Sequence, residues 1–300
     1  MTPAQKRKNR EALTGYLFIL PNVIGFALFT FLPVFASMLL SFTPWTGSWE
    51  DGSFRWVGLQ NYIQLIQDPL FWKFIWNTMV LMLSLPLSMA GSLILALALN
   101  QKIKGLTIFR TLFFIPSIAS GIGLFLLWKW IYNPDFGLIN DMLRRFAHIN
   151  GPNWLTDMNW VKPALILCIT WIGIGGTNMI LYLAGLQNVP RDFYEAAEID
   201  GASGWQRFWH ITWPMLTPTT FFIFTMGLIA GFQGYFDLVY VMTLGGPAGS
   251  STPIAYYIWQ TAFQNFKLGF ASAQAWVLFI IIFFITLANW KYSGQRVNYF

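Results

Sequence analysis

The sequence predicts an all-α integral membrane protein, and three features support this fold class. Of its 300 residues, 56% are apolar and 10% are charged, whereas a soluble domain carries about 25% charge. Phe and Trp are abundant, with 29 and 16 copies, as expected where aromatic rings lie at lipid–water boundaries. Six apolar stretches can each cross about 30 Å of hydrocarbon as a helix: Leu13–Phe42, Ile75–Leu99, Ile108–Tyr132, Val161–Leu183, Thr217–Met242 and Ala271–Trp290.

The elements follow from these stretches in order. The first is longer than the apolar core of a signal peptide, which runs about 7–15 residues, so we interpret it as a retained helix. Pro21, Pro33, Pro86 and Pro116 lie inside the first three spans, where neighbouring helices can satisfy the freed carbonyl groups, and they predict kinks. After the third span, the amphipathic stretch Leu138–Phe146 predicts a helix along the outer surface.

The distribution of basic residues orients the spans. Lys and Arg are enriched in cytoplasmic loops, and eleven of the 18 occur in the N-terminal segment, the second and fourth connections and the C-terminal tail. Both termini are therefore expected in the cytoplasm. Residues 1–13 are predicted to form a basic cytoplasmic N-terminus, and residues 14–300 one six-helix membrane domain with a cytoplasmic segment at 186–216. The basic residues behind this orientation include Lys102, Lys104, Arg110, Arg191, Arg207, Lys291 and Arg296.

Charge and ligand spacing argue against other classes. The net charge is +6, but the basic residues are scattered between apolar blocks, so contact with anionic lipid headgroups explains them better than nucleic-acid binding. Cys168 is the single cysteine, and His148 and His210 are far apart, so no zinc-ligand spacing exists. We expect no metal site and no cofactor, and we interpret Cys168 as a buried packing residue.

The cytoplasmic segment predicts a short helix followed by a sharp reversal. Pro190 suits the first turn of a helix, where a missing N–H costs nothing. Gly201 permits a turn that a residue with a Cβ would resist. A second helical stretch, Ser203–His210, is expected to run to Pro214, and Pro218 is expected to open the fifth span.

The side chains of the first helix suit it to docking. Ala196 and Ala197 allow close approach to another surface, and Phe193, Tyr194 and Ile199 provide apolar anchors. The helix therefore has the composition of a peg for a cytoplasmic socket. An ordinary helix–turn–helix connection between spans would also accommodate the individual residues.

The spacing within this segment resembles a known family, the permeases of binding-protein-dependent ABC importers. Their signature is Glu-Ala-Ala, three residues, Gly, nine residues, then Ile-x-Leu-Pro. The chain departs from it once, with Trp213 at the Leu position, and keeps an apolar residue there. Four further stretches resemble the carbohydrate branch, which includes the maltose and glycerol-3-phosphate permeases: Arg110–Pro116, Asn133–Asn140, Gly245–Pro247 followed by Thr252, Tyr256 and Tyr257, and Phe270–Gln274. The residues that match the signature are Glu195, Ala196, Ala197, Gly201, Ile211 and Pro214.

The resemblance implies a permease subunit of an ABC importer in the bacterial inner membrane, with six transmembrane helices in the type I importer arrangement. Because no phosphate-cradling Gly-Lys-Ser/Thr motif occurs, we expect separate ATPase subunits to hydrolyse the ATP and the chain not to be an enzyme. A second, different permease subunit, an extracytoplasmic solute-binding protein and a sugar substrate are the other implied partners. The residues expected to couple to the ATPase are Phe193, Tyr194, Glu195, Ala196, Ala197, Glu198, Asp200, Gly201, Ile211 and Pro214.

Polar and small residues in the fourth and fifth spans are the candidates for the substrate pathway. Polar groups at bilayer depth are costly and therefore suggest function. Gln233 and Asp237 are four residues apart and are predicted to share one helical face, while glycines near Asn178 would leave room for a ligand. The alternative is that these residues serve interhelical hydrogen bonding and close helix packing. The candidates are Trp171, Gly175, Asn178, Gln233, Tyr235 and Asp237.

Two other classes of membrane protein would have different features in the sequence. An ion-coupled secondary transporter would have inverted repeats, broken helices or intramembrane coupling residues, and of the last the sequence offers only Asp237. A membrane-embedded enzyme would need a cluster of catalytic groups, which two isolated histidines do not provide. The sequence does not identify the sugar, since oligosaccharide, monosaccharide, polyol and glycerol phosphate importers share this architecture.

Overall fold

The computed structural model describes residues 3–48, 52, 54–101 and 104–293, so Lys102 and Arg296, which entered the orientation argument, lie outside it. All regular secondary structure in this part of the chain is helical. Four helices are long and apolar enough to cross a membrane, and there are six spans if each of two bent helix pairs counts as one. The predicted all-α membrane fold is confirmed.

One compact unit contains residues 1–68 and 258–278. Its long apolar helix, Asn9–Leu40, is the first span. The helix reaches Pro33 after a π-helical turn at Ala27–Phe31 and continues beyond it. The helices of this unit begin with α1 (Pro3–Phe26), α2 (Leu32–Leu40) and α3 (Gln60–Gln67).

Hydrogen bonds from side chains, both to the backbone and to another side chain, hold this unit together. The buried amide of Asn61 donates to the carbonyl oxygens of Ser41 and Thr43, both at 2.8 Å. The indole of Trp276 donates to the hydroxyl oxygen of Ser37 at 3.3 Å. Buried carbonyl groups must be paired, so the two Asn61 bonds tie the end of the first span to α3. The Trp276 bond ties the same span to a residue near the C-terminal end of the chain.

The other compact unit contains residues 69–257 and 279–300. Its core lies between three helices that pack against one another, α5 (Ser84–Leu99), α10 (Thr177–Gln187) and α13 (Trp213–Gln233). This core consists mainly of Met and Leu side chains, with Tyr182 fully buried. Its helices are α4 (Pro69–Leu81), α5 (Ser84–Leu99), α6 (Leu106–Ile118), α7 (Gly121–Ile131), α8 (Leu138–Met142), α9 (Val161–Ile174), α10 (Thr177–Gln187), α11 (Arg191–Ile199), α12 (Gly204–Arg207), α13 (Trp213–Gln233) and α14 (Phe236–Met242). Helix α15 (Ile254–Trp259) begins in this unit, and α16 (Leu268–Ser293) ends in it.

Two predicted spans are bent. The axes of α6 and α7 meet at 96°, and those of α9 and α10 at 42°. In the first pair, α6 continues past Pro116 to Ile118, and the break comes at Ala119, which is extended with ψ 149°. The kink predicted at Pro116 is thus a full break three residues further on. In the second pair, Gly176 leaves the helical region with ψ −145°. By contrast, the spans that contain Pro21, Pro33 and Pro86 continue as single helices.

The prediction for the start of the fifth span was wrong. One helix of 30 residues runs from Gly204 to Gln233, and we call it the long helix. It does not stop at Pro214 or begin at Pro218, because a change in the local hydrogen bonding accommodates each proline. A π-helical turn at Phe208–Thr212 precedes Pro214, and the hydroxyl of Thr217 donates to the Pro214 carbonyl at 2.7 Å, replacing the N–H that Pro218 lacks.

The prediction for the end of the fifth span was also wrong. The long helix stops at Gln233, Gly234 is extended, and Tyr235 has the left-handed φ of +63°. The seven-residue helix α14 then starts at Phe236. A left-handed residue cannot continue a right-handed helix, so the span is interrupted at this point.

Candidate functional site

The Glu-Ala-Ala segment, residues 186–216, forms the short helix that the sequence predicts. Pro190 is its N-cap, with φ −59° and ψ 135°, and the helix α11 begins one residue later at Arg191. The prediction that Pro190 occupies the first turn is off by this one residue, because its ψ is extended and not helical. Asp192 lies in the first turn, where the helix dipole favours a carboxylate.

The reversal after α11 depends on Gly201, as predicted. This residue has a φ of +76°. The N–H of Gly201 donates to the carbonyl of Glu198 at 3.1 Å, and the N–H of Ala202 donates to the carbonyl of Ala197 at 2.8 Å. These two bonds form a Schellman motif, which satisfies the last carbonyl groups of the helix and requires a left-handed residue at this position.

The start of the long helix is capped locally, because Ser203 and Gln206 form a capping box in which each side chain bonds to the backbone N–H of the other residue. Two further interactions join this helix to α11. Arg207 forms an ion pair with Glu198. The hydroxyl groups of Tyr194 and Thr212 share a hydrogen bond of 2.9 Å. The short helix and the long helix are therefore linked by side chains as well as by the turn.

Much of the Glu-Ala-Ala segment is open to its surroundings. Phe193 is 49% exposed and Ile199 is 87% exposed. Exposure of such large apolar side chains to water does not stabilise the chain by itself. The predicted coupling residues divide by exposure: Glu195, Ala196, Glu198, Asp200 and Gly201 join Phe193 on the open side, while Tyr194, Ala197, Ile211 and Pro214 are half-buried. An open pocket of about 290 Å³ is lined by Gly201 together with Asp200, Arg207 and Ile211.

Sequence reasoning missed two exposed aromatic residues in this segment. Trp205 is 71% exposed and Trp209 is 46% exposed. Their rings and those of Phe208 and Trp213 form a contiguous set with centroid distances of 5.2–6.4 Å. The spacing of three and four residues between aromatic positions was the signal that could have identified this helix face.

The interruption of the fifth span opens a cavity of about 370 Å³, which we call the inner cavity. Gln233, Tyr235 and Asp237 all line it, together with Phe125 and Gly173. However, Gln233 ends one helix and Asp237 belongs to the next, so the prediction that they share one helical face was wrong. Their shared location results from the left-handed backbone at Tyr235.

The ring of Tyr235 fixes this interruption to a neighbouring helix. Its hydroxyl lies 3.4 Å from the hydroxyl oxygen of Ser84, which begins α5. A side chain with a hydroxyl at this position therefore both lines the inner cavity and anchors the break. Gln233 and Asp237 are exposed at the cavity, where an amide and a carboxylate can accept and donate hydrogen bonds to a polar ligand.

The other three pathway candidates lie outside the lining of the inner cavity. Gly175 leaves no room for a ligand, because a Cβ there would be 2.0 Å from the carbonyl oxygen of Phe113. This glycine allows close helix packing, as in the alternative interpretation. The indole of Trp171 contacts that of Trp128 edge to face at 5.6 Å, and Asn178 is half-buried in α10.

Within the described residues, no group of three or more His, Cys, Asp and Glu side chains has the geometry of a metal site. Cys168 is fully buried, in agreement with the packing role expected from its position. The Glu-Ala-Ala segment and the inner cavity lie at opposite ends of the long helix.

Comparison with known families fits this arrangement. Residues 89–298 match the model of the family described as binding-protein-dependent transport system inner membrane component. The chain belongs to this family, and it is the permease subunit of an ABC importer. The class of ion-coupled secondary transporters is thereby set aside, even though broken helices, which that class also has, occur in two bent spans.

Relatives cover nearly the whole chain. The probable ABC transporter permease protein YesP of Bacillus subtilis (strain 168) is 37% identical over 295 residues, 97% of this chain and 93% of that protein. The multiple sugar-binding transport system permease protein MsmF of Streptococcus mutans serotype c is 36% identical over 291 residues, 96% of this chain and 98% of that protein. The chain is therefore similar to transport permeases along its full length.

A solved structure shares the fold. A chain from the crystal structure of a bacterial ABC transporter involved in the import of the acidic polysaccharide alginate has a TM-score of 0.85, with coverage of 98% of this chain and 99% of that one. The two sequences are 24% identical. This similarity confirms the permease arrangement of helices that the sequence predicts.

Proposed function

We propose that the chain forms half of the translocation pathway of a sugar or oligosaccharide importer and couples to separate ATPase subunits through its Glu-Ala-Ala segment. The observation that carries the proposal is the connection of two sites by the long helix. One end of this helix holds α11 through the Arg207–Glu198 ion pair. The other end stops at Gln233 beside the inner cavity.

Coupling follows from the rigidity of this connection. A displacement of α11 by an ATPase reaches the long helix through the Gly201 turn, the ion pair and the Tyr194–Thr212 hydrogen bond. An α-helix of 30 residues is about 45 Å long, so a small rotation at its start moves the residues of the inner cavity. Each nucleotide state would favour one position of α11, and the access of the cavity would change with it as a population shift.

The substrate class is supported by chemistry and by resemblance. Amide and carboxylate groups suit the hydroxyl groups of a sugar, and aromatic rings suit its apolar faces; the inner cavity offers Gln233, Asp237, Tyr235 and Phe125 for these contacts. The relative MsmF is a permease of a multiple sugar-binding transport system. We extend this substrate class to the chain.

The remaining partners complete the importer. The family is dependent on a binding protein, and we propose that an extracytoplasmic solute-binding protein delivers the sugar to a cavity shared with a second, different permease subunit. Both termini and the Glu-Ala-Ala segment would then face the cytoplasm, in a bacterial inner membrane. Basic loops such as the one with Lys104 would contact anionic lipid headgroups.

Crosslinking tests the coupling role. In the assembled importer, Ala196→Cys places a thiol on the exposed side of α11, and Asn159→Cys places one on an exposed loop far along the chain as a control. We expect a short bifunctional maleimide to join Ala196→Cys, and not Asn159→Cys, to the ATP-hydrolysing subunit. Sugar uptake by the purified chain alone, or no crosslink from Ala196→Cys in an active complex, would contradict the proposal.

A further inference from the structure

A second cavity, of about 360 Å³, lies at the other end of α14, and we call it the outer cavity. Its volume falls in the range of small-molecule sites, about 300–1,000 Å³. The polar and aromatic groups that line it include Lys129, Tyr132, Asn133, Asn153, Trp154 and Thr156. None of the residues that line the inner cavity is among them.

Buried hydrogen bonds hold the wall of the outer cavity in place. The carboxamide of Asn140, which is 2% exposed, accepts a hydrogen bond from the indole of Trp154 at 2.7 Å and donates to the carbonyl of Pro134 at 3.1 Å. Tyr132 is also buried, and its hydroxyl donates to the carbonyl of Ala164 at 2.7 Å. Both rings are thus fixed before any ligand arrives, which lowers the entropic cost of binding.

Several polar groups of the cavity retain hydrogen-bonding capacity. The Oδ1 of Asn133 accepts from two backbone N–H groups, at 2.9 and 3.2 Å, which leaves its NH₂ group available. The ammonium group of Lys129 donates to the carbonyl of Val241 at 3.2 Å and has three N–H bonds in total. Within the described part of the chain, the exposed side chain of Asn153 has no hydrogen-bond partner.

The two cavities are arranged along one pair of packed helices, α7 and α14. Phe125 lines the inner cavity and Lys129 lines the outer one, four residues apart on the same face of α7. The start of α14 lines the inner cavity, whereas Met242, at its end, lines the outer one. Leu238 and Met242 are likewise four residues apart on α14, so the nearest lining positions of the two cavities are about 6 Å apart along each helix.

We propose that the outer cavity is a saccharide-binding subsite that holds one end of an oligosaccharide while the other end occupies the inner cavity. Tyr132 is 1% exposed and supports the wall, while the fixed indole of Trp154 and the free amide groups supply the recognition chemistry of a sugar unit. A single site would not need a second cavity along the same helix pair. The inference rests on the proposed function and deepens it, because it assigns the substrate to chains of sugar units and not to monosaccharides.

A reporter at the rim of the outer cavity tests the inference in the assembled importer. Thr156→Cys is labelled with bimane in nanodiscs; the native Cys168 is fully buried and stays unlabelled. The probes are glucose, maltotriose, raffinose, xylotriose and trigalacturonate. We expect a fluorescence response to at least one trisaccharide, with a much weaker response to its monosaccharide unit.

Two asparagine variants separate binding from general effects on the loop. Asn153→Ala removes an amide that lines the outer cavity. Asn159→Ala removes an exposed amide of the same loop that lies outside the cavity lining. We expect the first variant to weaken trisaccharide binding by about three- to tenfold, the value of one or two neutral hydrogen bonds. The second should bind as the wild type does.

The outcomes distinguish this inference from the proposed function. Uptake of a trisaccharide that depends on Gln233 but is unchanged by Asn153→Ala would overturn the outer subsite and leave the sugar importer intact. Equal affinity for a trisaccharide and its monosaccharide unit would also overturn the subsite. An importer that hydrolyses ATP and takes up none of the five probes would overturn both.

Discussion

Gly201 and Gly204 lie close together in the Glu-Ala-Ala segment but make different demands on the backbone. Neither has an atom within 4 Å of the position where a Cβ would stand. Gly201 has a φ of +76°, whereas Gly204 begins a right-handed helix. A side chain at Gly201 is therefore costly because of backbone conformation alone, and a side chain at Gly204 is not.

We expect Gly201→Ala to reduce sugar uptake per ATP hydrolysed, and Gly201→Val to reduce it further. The left-handed conformation costs a residue with a Cβ about 1–2 kcal/mol, which weakens the turn between α11 and the long helix. Uptake and ATP hydrolysis of the reconstituted importer are measured together. Gly204→Ala is the matched control and should keep the wild-type ratio, and Gly201→Asn should recover part of it, because Asn tolerates this conformation. An unchanged ratio in Gly201→Val would argue against the lever.

Gly175 illustrates the opposite case at the same scale. Its φ is ordinary, at −90°, but the backbone of α6 lies so close that a Cβ would be 2.0 Å from the carbonyl oxygen of Phe113. A sequence pattern cannot distinguish a glycine that leaves space for a ligand from one that allows close helix packing, because both are simply glycines within a span. The contact between two helices, and not the glycine itself, determines that Gly175 serves packing.

At the scale of elements, the long helix is the feature that links the two sites. It runs without interruption from Gly204 to Gln233, where the sequence predicts a boundary at its two prolines. It packs into the core through residues such as Leu216 and Ile223, whereas Phe222 and Met226 are each 52% exposed. Positions of this kind allow helix stiffness to be changed with little loss of packing inside the chain.

We expect the double variant Phe222→Gly, Met226→Gly to uncouple ATP hydrolysis from uptake. Each glycine lowers helix stability by about 1 kcal/mol relative to Ala, so the helix bends more easily between α11 and the inner cavity. The matched control is Phe222→Ala, Met226→Ala, which removes the same side chains and keeps the helix stiff. Both variants are compared in the proteoliposome assay. If both lose uptake equally, the side chains are required and the stiffness of the helix is not.

At the scale of the whole molecule, the proposed orientation places the outer cavity and the Glu-Ala-Ala segment on opposite sides of the membrane. If each bent helix pair counts as one span, six spans connect the two sides, and the basic residues are denser on the connections that we assign to the cytoplasm. A connection on the wrong side would separate α11 from an ATPase in the cytoplasm. Topology is therefore a direct requirement of the proposal.

We expect a membrane-impermeant maleimide to label Thr156→Cys in whole cells with the outer membrane permeabilised, and Ala196→Cys only after the inner membrane is opened. Both positions are exposed, so access decides the result and burial does not. The wild-type chain is the control, since its single cysteine, Cys168, is fully buried. Labelling of Ala196→Cys from outside would reverse the orientation.

The sequence by itself determined the membrane class, the existence of the spans and the reversal at Gly201. These follow from local rules: the thickness of hydrocarbon sets the length of an apolar helix, and a left-handed turn after a helix favours glycine. The family resemblance was likewise carried by fixed residues at fixed spacing between Glu195 and Pro214. None of these features depends on which helices become neighbours.

Only the tertiary structure decided where the spans break and which polar residues meet. Tyr235 is left-handed and its hydroxyl lies beside Ser84, a residue 151 positions away in the chain. The left-handed backbone at Tyr235 separates Gln233 and Asp237 onto two helices, and both still line one cavity. The physical reason is that the conformation of a break is set by the packing of distant helices around it, whereas helix periodicity describes only the chain on either side.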